Sequence, residues 1–494
     1  MSKLLIIGID SLDSRLLLRF QDDLPTFTRL MGECPPLRLR GVYPPDSPVS
    51  WASIFTGENP ARHGILEFVD PLDKTTMRVS KEIDNSGLRG KTFWDIAGKA
   101  GRKRVCILLP AVGFPVWPVN GVMAGRSSVS DAVQVYPSDC VTAADLAGLT
   151  NLKGVIGRSP ERFIDRGRKL IRREMEFSLQ MLRRGDWDLF FTYSSVLDPI
   201  QHGFWNTFDE RDPSYQAGNR FHDVIRDFYI IYDSVVERYL QSIDGETAVI
   251  VLSDHGHGMR PVRLVNVNEI LRREGLFQLR QVKAGPVISI LEKAKRLLLN
   301  VIVKFRLGNL ALFFMRAVPG SKRVYTSPLS IDWNRTVAYL SDQSGIKAYT
   351  YGGIKVEENR DGQGMPYEAV RELIIQRLSA FSDPETGRPC VKWIRRREDL
   401  YSGPYLSKYP DIIFRLQDEF GAGWPADGSL VGSSLSHNIQ PGSHNEETPI
   451  FLMRNVPGRK LVRQDMTLMD VAPTVLDILE MERMSGWEGA SIFQ

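Results

Sequence analysis

Six short runs of aliphatic and β-branched residues constrain this chain more than any other feature: LLIIGID (4–10), RVCILLP (104–110), LFFTYSS (189–195), AVIVLSD (248–254), PDIIFRL (410–416) and TPIFLMR (448–454). Each reads as a buried strand. Segments of helical periodicity separate many of them. The clearest is 160–185, where apolar residues recur at three- and four-residue steps and a glycine ends the run. Strands alternating with helices predict an α/β fold, a mainly parallel central sheet sandwiched by helices.

Sheets of this kind carry their chemistry on loops beyond the carboxyl ends of the strands. The first run ends in Asp10, the third is followed by Asp198 and His202, and the fourth ends in Asp254 and His255. His444, in GSH, stands just before the last run. Carboxylates and imidazoles are ligands that Zn²⁺ and similar ions select, and two ions sharing such a set form a clamp for phosphoryl transfer. Asp198 and His202 lie four apart, so a helical turn puts both on one face. Asp254 and His255 are adjacent where the chain leaves the sheet, and the following GHG permits a tight turn. A lone aspartate at a strand end usually caps a helix or a turn. Six such groups at four strand ends, with three of the chain's 7 histidines among them, shift the balance toward metal ligation.

Composition sets bounds on the rest. A hydrophobic fraction of 43% and a charged fraction of 25% support a sizeable core in 494 residues and argue against extensive disorder. A net charge of +4 over 494 residues is weak and does not by itself imply a nucleic-acid partner. The cysteines, Cys34, Cys106, Cys140 and Cys390, lack Cys-x-x-Cys spacing and read as buried thiols of a reducing compartment. The apolar start MSKLLIIGID runs straight into a strand, and no apolar run approaches the ~20 residues that span a bilayer. The expected location is cytoplasmic. Residues 284–326 differ, mixing aliphatic clusters with many Lys and Arg and almost no acid. They read as basic amphipathic helices inserted in the main domain, either packed on the core or forming a cap or a patch for anionic lipid.

The stretch YPPDSPVSWASIFTGENPARHGI (43–65) holds three serines and a threonine, any of which is a poor nucleophile unless activated. Asp46 beside Ser47 is a puzzle, because an acid should repel an anionic phosphate.

In order and context these motifs resemble the alkaline phosphatase superfamily, in its type I phosphodiesterase and nucleotide pyrophosphatase branch. LLIIGIDSLD is similar to the first metal strand, SPVSWASIFTGENPARHGI to the nucleophile segment, LDPIQHGFW to the Asp-x-x-x-His motif, VLSDHGHG to the Asp-His motif, and GSHNEETPIFL to the final metal histidine. The resemblance implies an alkaline phosphatase-like core over 1–275 and 331–494, interrupted by a helical insertion or cap over 276–330. It implies two divalent ions, zinc by default with manganese the alternative. One would be held by Asp198, His202 and His444, the other by Asp10, Asp254, His255 and a hydroxyl oxygen. The family nucleophile precedes the Thr-Gly of the signature by nine residues, which selects Ser47 from Thr56. Ser50 takes the place of the phosphate-binding Asn of nucleotide pyrophosphatases, and His63 matches a position read as structural. His257 and His437 compete with His255 and His444 on proximity and lose on motif context, while His222 reads as an ordinary helix residue.

The implied activity is metal-dependent hydrolysis of phosphate esters, above all phosphodiesters of nucleotide type, through a phosphoserine at Ser47. The alternatives are a phosphomonoesterase, a transferase on a lipid-linked substrate, and a metal-binding regulatory protein without catalysis. Sulfatases of the superfamily need a Cys/Ser-x-Pro-x-Arg setting that neither Ser47 nor Ser50 offers. The expected partner is a small phosphate ester or nucleotide, with Trp117, Asn120 and Arg126 of segment 113–128 as substrate-binding candidates alongside Ser50. The leaving group and the oligomeric state stay open.

Overall fold

The computed structural model describes residues 3–34, 37–66, 82–152, 156, 159–279, 331–341, 348–357, 364–426, 428–456, 459–484 and 486–493. The basic segment 284–326 lies outside the described residues. Among them, no helix is long and apolar enough to cross a membrane.

The chain first lays down six strands of the main sheet: β1 (Leu4–Ile9), β2 (Val105–Leu108), β3 (Gly121–Arg126), β4 (Val133–Tyr136), β5 (Leu189–Ser194) and β6 (Ala248–Leu252). A short β7 (Gly256–Met259) follows. A second sheet is then built from β8 (Ala338–Leu340), β9 (Tyr351–Val356), β10 (Val391–Arg396) and β11 (Ile412–Leu416). The chain returns through β12 (Gly442–Asn445), which pairs antiparallel with β7, and ends the main sheet with β13 (Phe451–Arg454).

The main sheet runs β13-β6-β1-β5-β2-β3-β4. β6, β1, β5, β2 and β3 are mutually parallel, in registers such as Leu4 opposite Leu189 and Ala248. The edge strands β13 and β4 are antiparallel to their neighbours. Continuous apolar runs make this arrangement possible, since β1, β2 and β6 are buried along their whole length. Helices supply the cover. The longest, Pro160–Arg184, starts on a proline and buries Phe163, Ile164, Leu170, Ile171 and Phe177 along one face. The expected α/β sandwich is what the chain forms.

The run PDIIFRL differs from the others, because β11 belongs to the antiparallel second sheet and pairs with β9 and β10. That sheet has its own core, drawn from Val265 through Tyr339, Ile354 and Phe414 to Phe420.

The helix α1 (Ser47–Thr56) lies almost wholly buried against the main sheet. Trp51 packs on Tyr193 and Phe191 of β5, with ring centroids 5.0 and 6.2 Å apart. Its indole also covers Gly8 of β1, where a Cβ atom would lie 2.8 Å from the ring. The glycine of IIGID therefore sets how closely α1 approaches the strand that ends in Asp10.

Candidate metal centre and nucleophile

The carboxyl ends of β1, β5 and β6 share one edge of the sheet, because the three strands are parallel neighbours. Asp10 follows β1, and its backbone N–H donates to the Ser194 carbonyl at 2.9 Å. Asp254 and His255 follow β6. Asp198 and His202 sit one turn apart on α2 (Leu197–Phe208), which begins just beyond β5. His444 lies on β12, directly opposite His257 of β7.

Ser47 is the first residue of α1. Its Oγ lies 3.2 Å from Asp10 Oδ1 and 3.1 Å from His255 Nε2. Asp254 Oδ2 stands 3.3 Å from the same His255 nitrogen. Asp10, Asp254 and His255 thus offer three converging ligand atoms beside a hydroxyl. On the other side, Asp198 Oδ1 is 3.3 Å from His202 Nε2 and 3.4 Å from His444 Nε2. The two imidazole nitrogens are themselves 3.0 Å apart. Asp198 and His444 also group with His255, whose ring stacks on His444 at 4.0 Å. All six residues expected as ligands, together with Ser47, are gathered in one place.

The tautomers suit ligation. His202 Nδ1 donates to the Gly442 carbonyl at 2.8 Å, and His255 Nδ1 donates to the Gly256 carbonyl at 3.0 Å. In both rings the lone pair is left on Nε2, the atom that faces the carboxylates. Asp198 Oδ1 and Asp254 Oδ2 are buried without a hydrogen bond, although imidazole nitrogens lie nearby. Burial first, and the neighbouring carboxylate second, push Asp10 and Asp254 up to about 7. Burial also drives His202 down to about 3 against the pull of Asp198. Two buried acids that resist ionising together, Asp10 and Asp254, beside the neutral His202 and His255 rings with lone pairs on Nε2, fit a divalent cation. Against burial, Asp198 is held low by the neighbouring imidazoles, and His444 is pushed up by Tyr349, Asp198 and Asp46.

Several supporting residues were not visible in the sequence. Tyr193 Oη donates a short hydrogen bond to Asp10 Oδ2. Ser11 adopts a left-handed φ of 65°, which lets its N–H donate to Asp254 Oδ1 at 3.2 Å. Its Oγ is 2.8 Å from His257 Nδ1. In a sequence Tyr193 reads as one more strand residue, and the Ser11 kink has no compositional mark. The only available signal was their closeness to Asp198 and Asp10.

Asp46 is placed away from the phosphate problem it raised. It occupies the N-cap of α1 yet makes no side-chain cap, and its Oδ1 lies 3.4 Å from His444 Nδ1. Ser50, one turn into α1, is fully buried, and its Oγ has no hydrogen-bond partner. Trp117 donates its indole N–H to Asp95 at 3.0 Å and stacks on Trp94. The Asn120 amide donates to the Lys103 carbonyl at 2.7 Å. Arg126, at the end of β3, forms a buried ion pair with Glu174, bonds Ser195 Oγ at 2.9 Å and lies 5.9 Å from the Tyr193 ring centroid. Of these three candidates it is the one linked to the metal centre, through Tyr193.

The other histidines have structural partners. His63 bonds Ser53 Oγ at 3.0 Å and accepts the Ile65 N–H at 3.1 Å. Both ring nitrogens of His437 are engaged, by Asp212 and the Arg260 carbonyl. His222 Nδ1 donates to the Thr207 carbonyl at 3.2 Å. His257 lies closer to the centre, with Nδ1 3.7 Å from Asp198 Oδ1.

The family model described as type I phosphodiesterase / nucleotide pyrophosphatase matches residues 4–305. The chain belongs to this family. Membership makes it a phosphoric ester hydrolase. No curated protein matches it. Among solved structures, its fold is similar to phosphonoacetate hydrolase from Sinorhizobium meliloti 1021 in complex with phosphonoformate. That pair shares 14% identity, covers 97% of this chain and 95% of the other, and has a TM-score of 0.57. Murine ectonucleotide pyrophosphatase / phosphodiesterase 5 is similar over 100% of both chains at 13% identity and a TM-score of 0.50. An inactive form of that enzyme has been solved in complex with AMP.

Proposed function

We propose that the chain hydrolyses phosphodiesters of nucleotide type, with Ser47 as nucleophile and two divalent metal ions, zinc by default, as cofactors. Asp10, Asp254, His255 and the Ser47 oxygen would hold one ion, and Asp198, His202 and His444 the other. Such ions supply Lewis-acid stabilisation of phosphoryl oxygens and lower the pKa of an oxygen bound to them.

The observation that carries this reading is the position of Ser47. Its Oγ heads a buried helix and lies 3.2 and 3.1 Å from Asp10 Oδ1 and His255 Nε2, two of the atoms that would hold an ion, so Oγ would reach the same ion and its proton would pass to solvent. Oγ adds to phosphorus as the bond to the ester oxygen of the leaving group breaks, which gives phosphoserine. Water then cleaves the Oγ–P bond and restores the hydroxyl. Tyr193 holds Asp10 in place from behind. The dipole of α1 at its N-terminal end favours the anionic phosphate beside Ser47, while residue 48 is a proline and the Val49 and Ser50 N–H groups donate to the Asp46 carbonyl.

The test compares bis-p-nitrophenyl phosphate with p-nitrophenyl phosphate for the wild type and Ser47→Ala, with bound metal measured in both. The expected result is faster diester cleavage that falls at least ~10³-fold in the variant while most of its metal is retained. Undiminished turnover in Ser47→Ala would remove Ser47 from the mechanism. Faster monoester cleavage would make the protein a phosphatase.

A further inference from the structure

Arg260 follows β7 and is only 1% exposed. A guanidinium is an expensive group to bury unless its donors are met. Its Nε donates to the Gln440 carbonyl at 2.6 Å and to the Gly442 carbonyl at 3.1 Å. The Gly442 oxygen is also the acceptor for His202 Nδ1–H, so Arg260 and His202 share one carbonyl. Arg260 Nη2 itself lies 3.5 Å from His202 Nδ1. The guanidinium carbon stands 5.2 Å from the centroid of the Tyr349 ring, and Tyr349 stacks on His444 at 5.4 Å.

The backbone of Arg260 is tied to the same elements. Its N–H donates to the Pro441 carbonyl at 2.6 Å. Its carbonyl accepts from His437 Nδ1 at 2.9 Å, and the other nitrogen of His437 faces Asp212 Oδ1 at 3.0 Å. Gly442 has no room for a side chain here, because a Cβ would lie 2.5 Å from His257 Nε2 and 2.8 Å from the His202 Cα. The carbonyl that fixes the His202 tautomer is therefore held by Arg260 on one side and by close packing on the other.

We propose that Arg260 is a positioning residue for one metal site only, the group Asp198, His202 and His444. Through Gly442 it keeps the His202 lone pair on Nε2, and through Tyr349 it sets the plane of the His444 ring. The group Asp10, Asp254 and His255 beside Ser47 meets this assembly through the stacking of His255 on His444 at 4.0 Å, but the His255 tautomer is set by the Gly256 carbonyl, so its affinity is expected to hold. The inference rests on the two-metal reading above. A lysine cannot replace this arrangement, since an ammonium lacks the planar guanidinium whose Nε–H is shared by two carbonyls while its plane lies by the Tyr349 ring.

The test measures zinc per chain and chelator competition for the wild type, Arg260→Lys and Arg260→Met. His202→Ala and Asp254→Ala serve as references for the two sites, and the metal-free thermal midpoint as a control for folding. The expected result is two classes of site in the wild type. In Arg260→Lys, the class also lost in His202→Ala is weakened by about 10- to 100-fold, and the class lost in Asp254→Ala is unchanged. Cobalt substitution should show an altered absorption spectrum for the first class alone. Equal weakening of both classes, or wild-type affinity in both, overturns the proposal while the two-metal reading stands. A wild type that binds no divalent metal overturns both. Arg260→Lys keeps charge and most of the volume, so the result holds even where Arg260→Met fails to fold.

Discussion

At the scale of single residues, Asp46 shows how a side chain that looks costly in sequence gains a purpose in three dimensions. An acid next to a phosphate-attacking serine should slow the reaction by repulsion if it faces the substrate. Asp46 instead turns its Oδ1 toward His444 Nδ1, and it is buried in doing so. A carboxylate behind a metal-binding imidazole orients the ring and raises its basicity. Asp46→Asn keeps the shape and removes the charge, and it removes no side-chain cap from α1. Metal affinity is expected to fall about 10-fold, with the folded structure unchanged by circular dichroism. Competition with a chelator measures it, and wild-type affinity would show that Asp46 is a buried acid with no part in ligation. The clustering of the six residues proposed as ligands was legible, because each sits in a short motif at or near a strand end. Their supports were not: Tyr193, Ser11 and Arg260 act through contacts between segments far apart in the chain.

At the scale of elements, the helix that carries Ser47 buries almost all its residues, so its polar groups need internal partners. Thr56 Oγ1 donates to the Ala52 carbonyl at 2.7 Å, and Ser53 is served by His63. His63 accepts the Ile65 N–H on Nδ1, so its proton is on Nε2 and the ring is neutral. Burial, helped by the charge of Lys91, drives His63 down to about 3 from an ordinary value of 6.5. The unfolded chain therefore binds a proton between pH 6.5 and 3 that the folded chain does not. The contribution is fully present above pH 6.5 and is lost as pH falls, with a slope of at most about 1.4 kcal/mol per pH unit. Gln can both donate to Ser53 and accept from Ile65 without titrating. Urea unfolding of His63→Gln across that range, with chelator present, should show a shallower slope than wild type by up to one proton. Equal slopes would mean that His63 is protonated in the fold. Elements of this kind were largely readable. The strands β1, β2, β5 and β6 and the helix Pro160–Arg184 fall where the apolar patterns place them, because burial on both faces leaves a continuous signal. The same signal could not assign β11 to its sheet, since a buried antiparallel strand looks the same in sequence as a buried parallel one.

At the scale of the whole molecule, two cores meet at the candidate metal centre. Tyr349, just before β9, stacks on His444, and Arg415 of β11 pairs with Glu446 two residues beyond it. Glu446 also accepts from Tyr43 at 2.9 Å, four residues before Ser47. The late histidine thus reaches the main sheet with the second sheet braced against it, an arrangement that ligand order along the chain does not reveal. On the proposed two-metal reading, this joining would make the ions stability partners of the whole protein. Without cations, Asp10 and Asp254 are buried together and pushed up to about 7, by burial first and a neighbouring carboxylate second. Ions bound only by the folded chain add stability by mass action, about 2.7 kcal/mol for one site at a hundred times its dissociation constant. Chelator should therefore lower the thermal midpoint of the wild type, and added zinc should restore it in a concentration-dependent way. In His444→Ala the shift should shrink, because one site has lost a ligand while the other keeps its set. Since His444 links both cores, the two are expected to unfold in one transition with metal and in two once it is removed. A single transition in both states would show that Arg415, Glu446 and Tyr43 couple the cores without help from the ions.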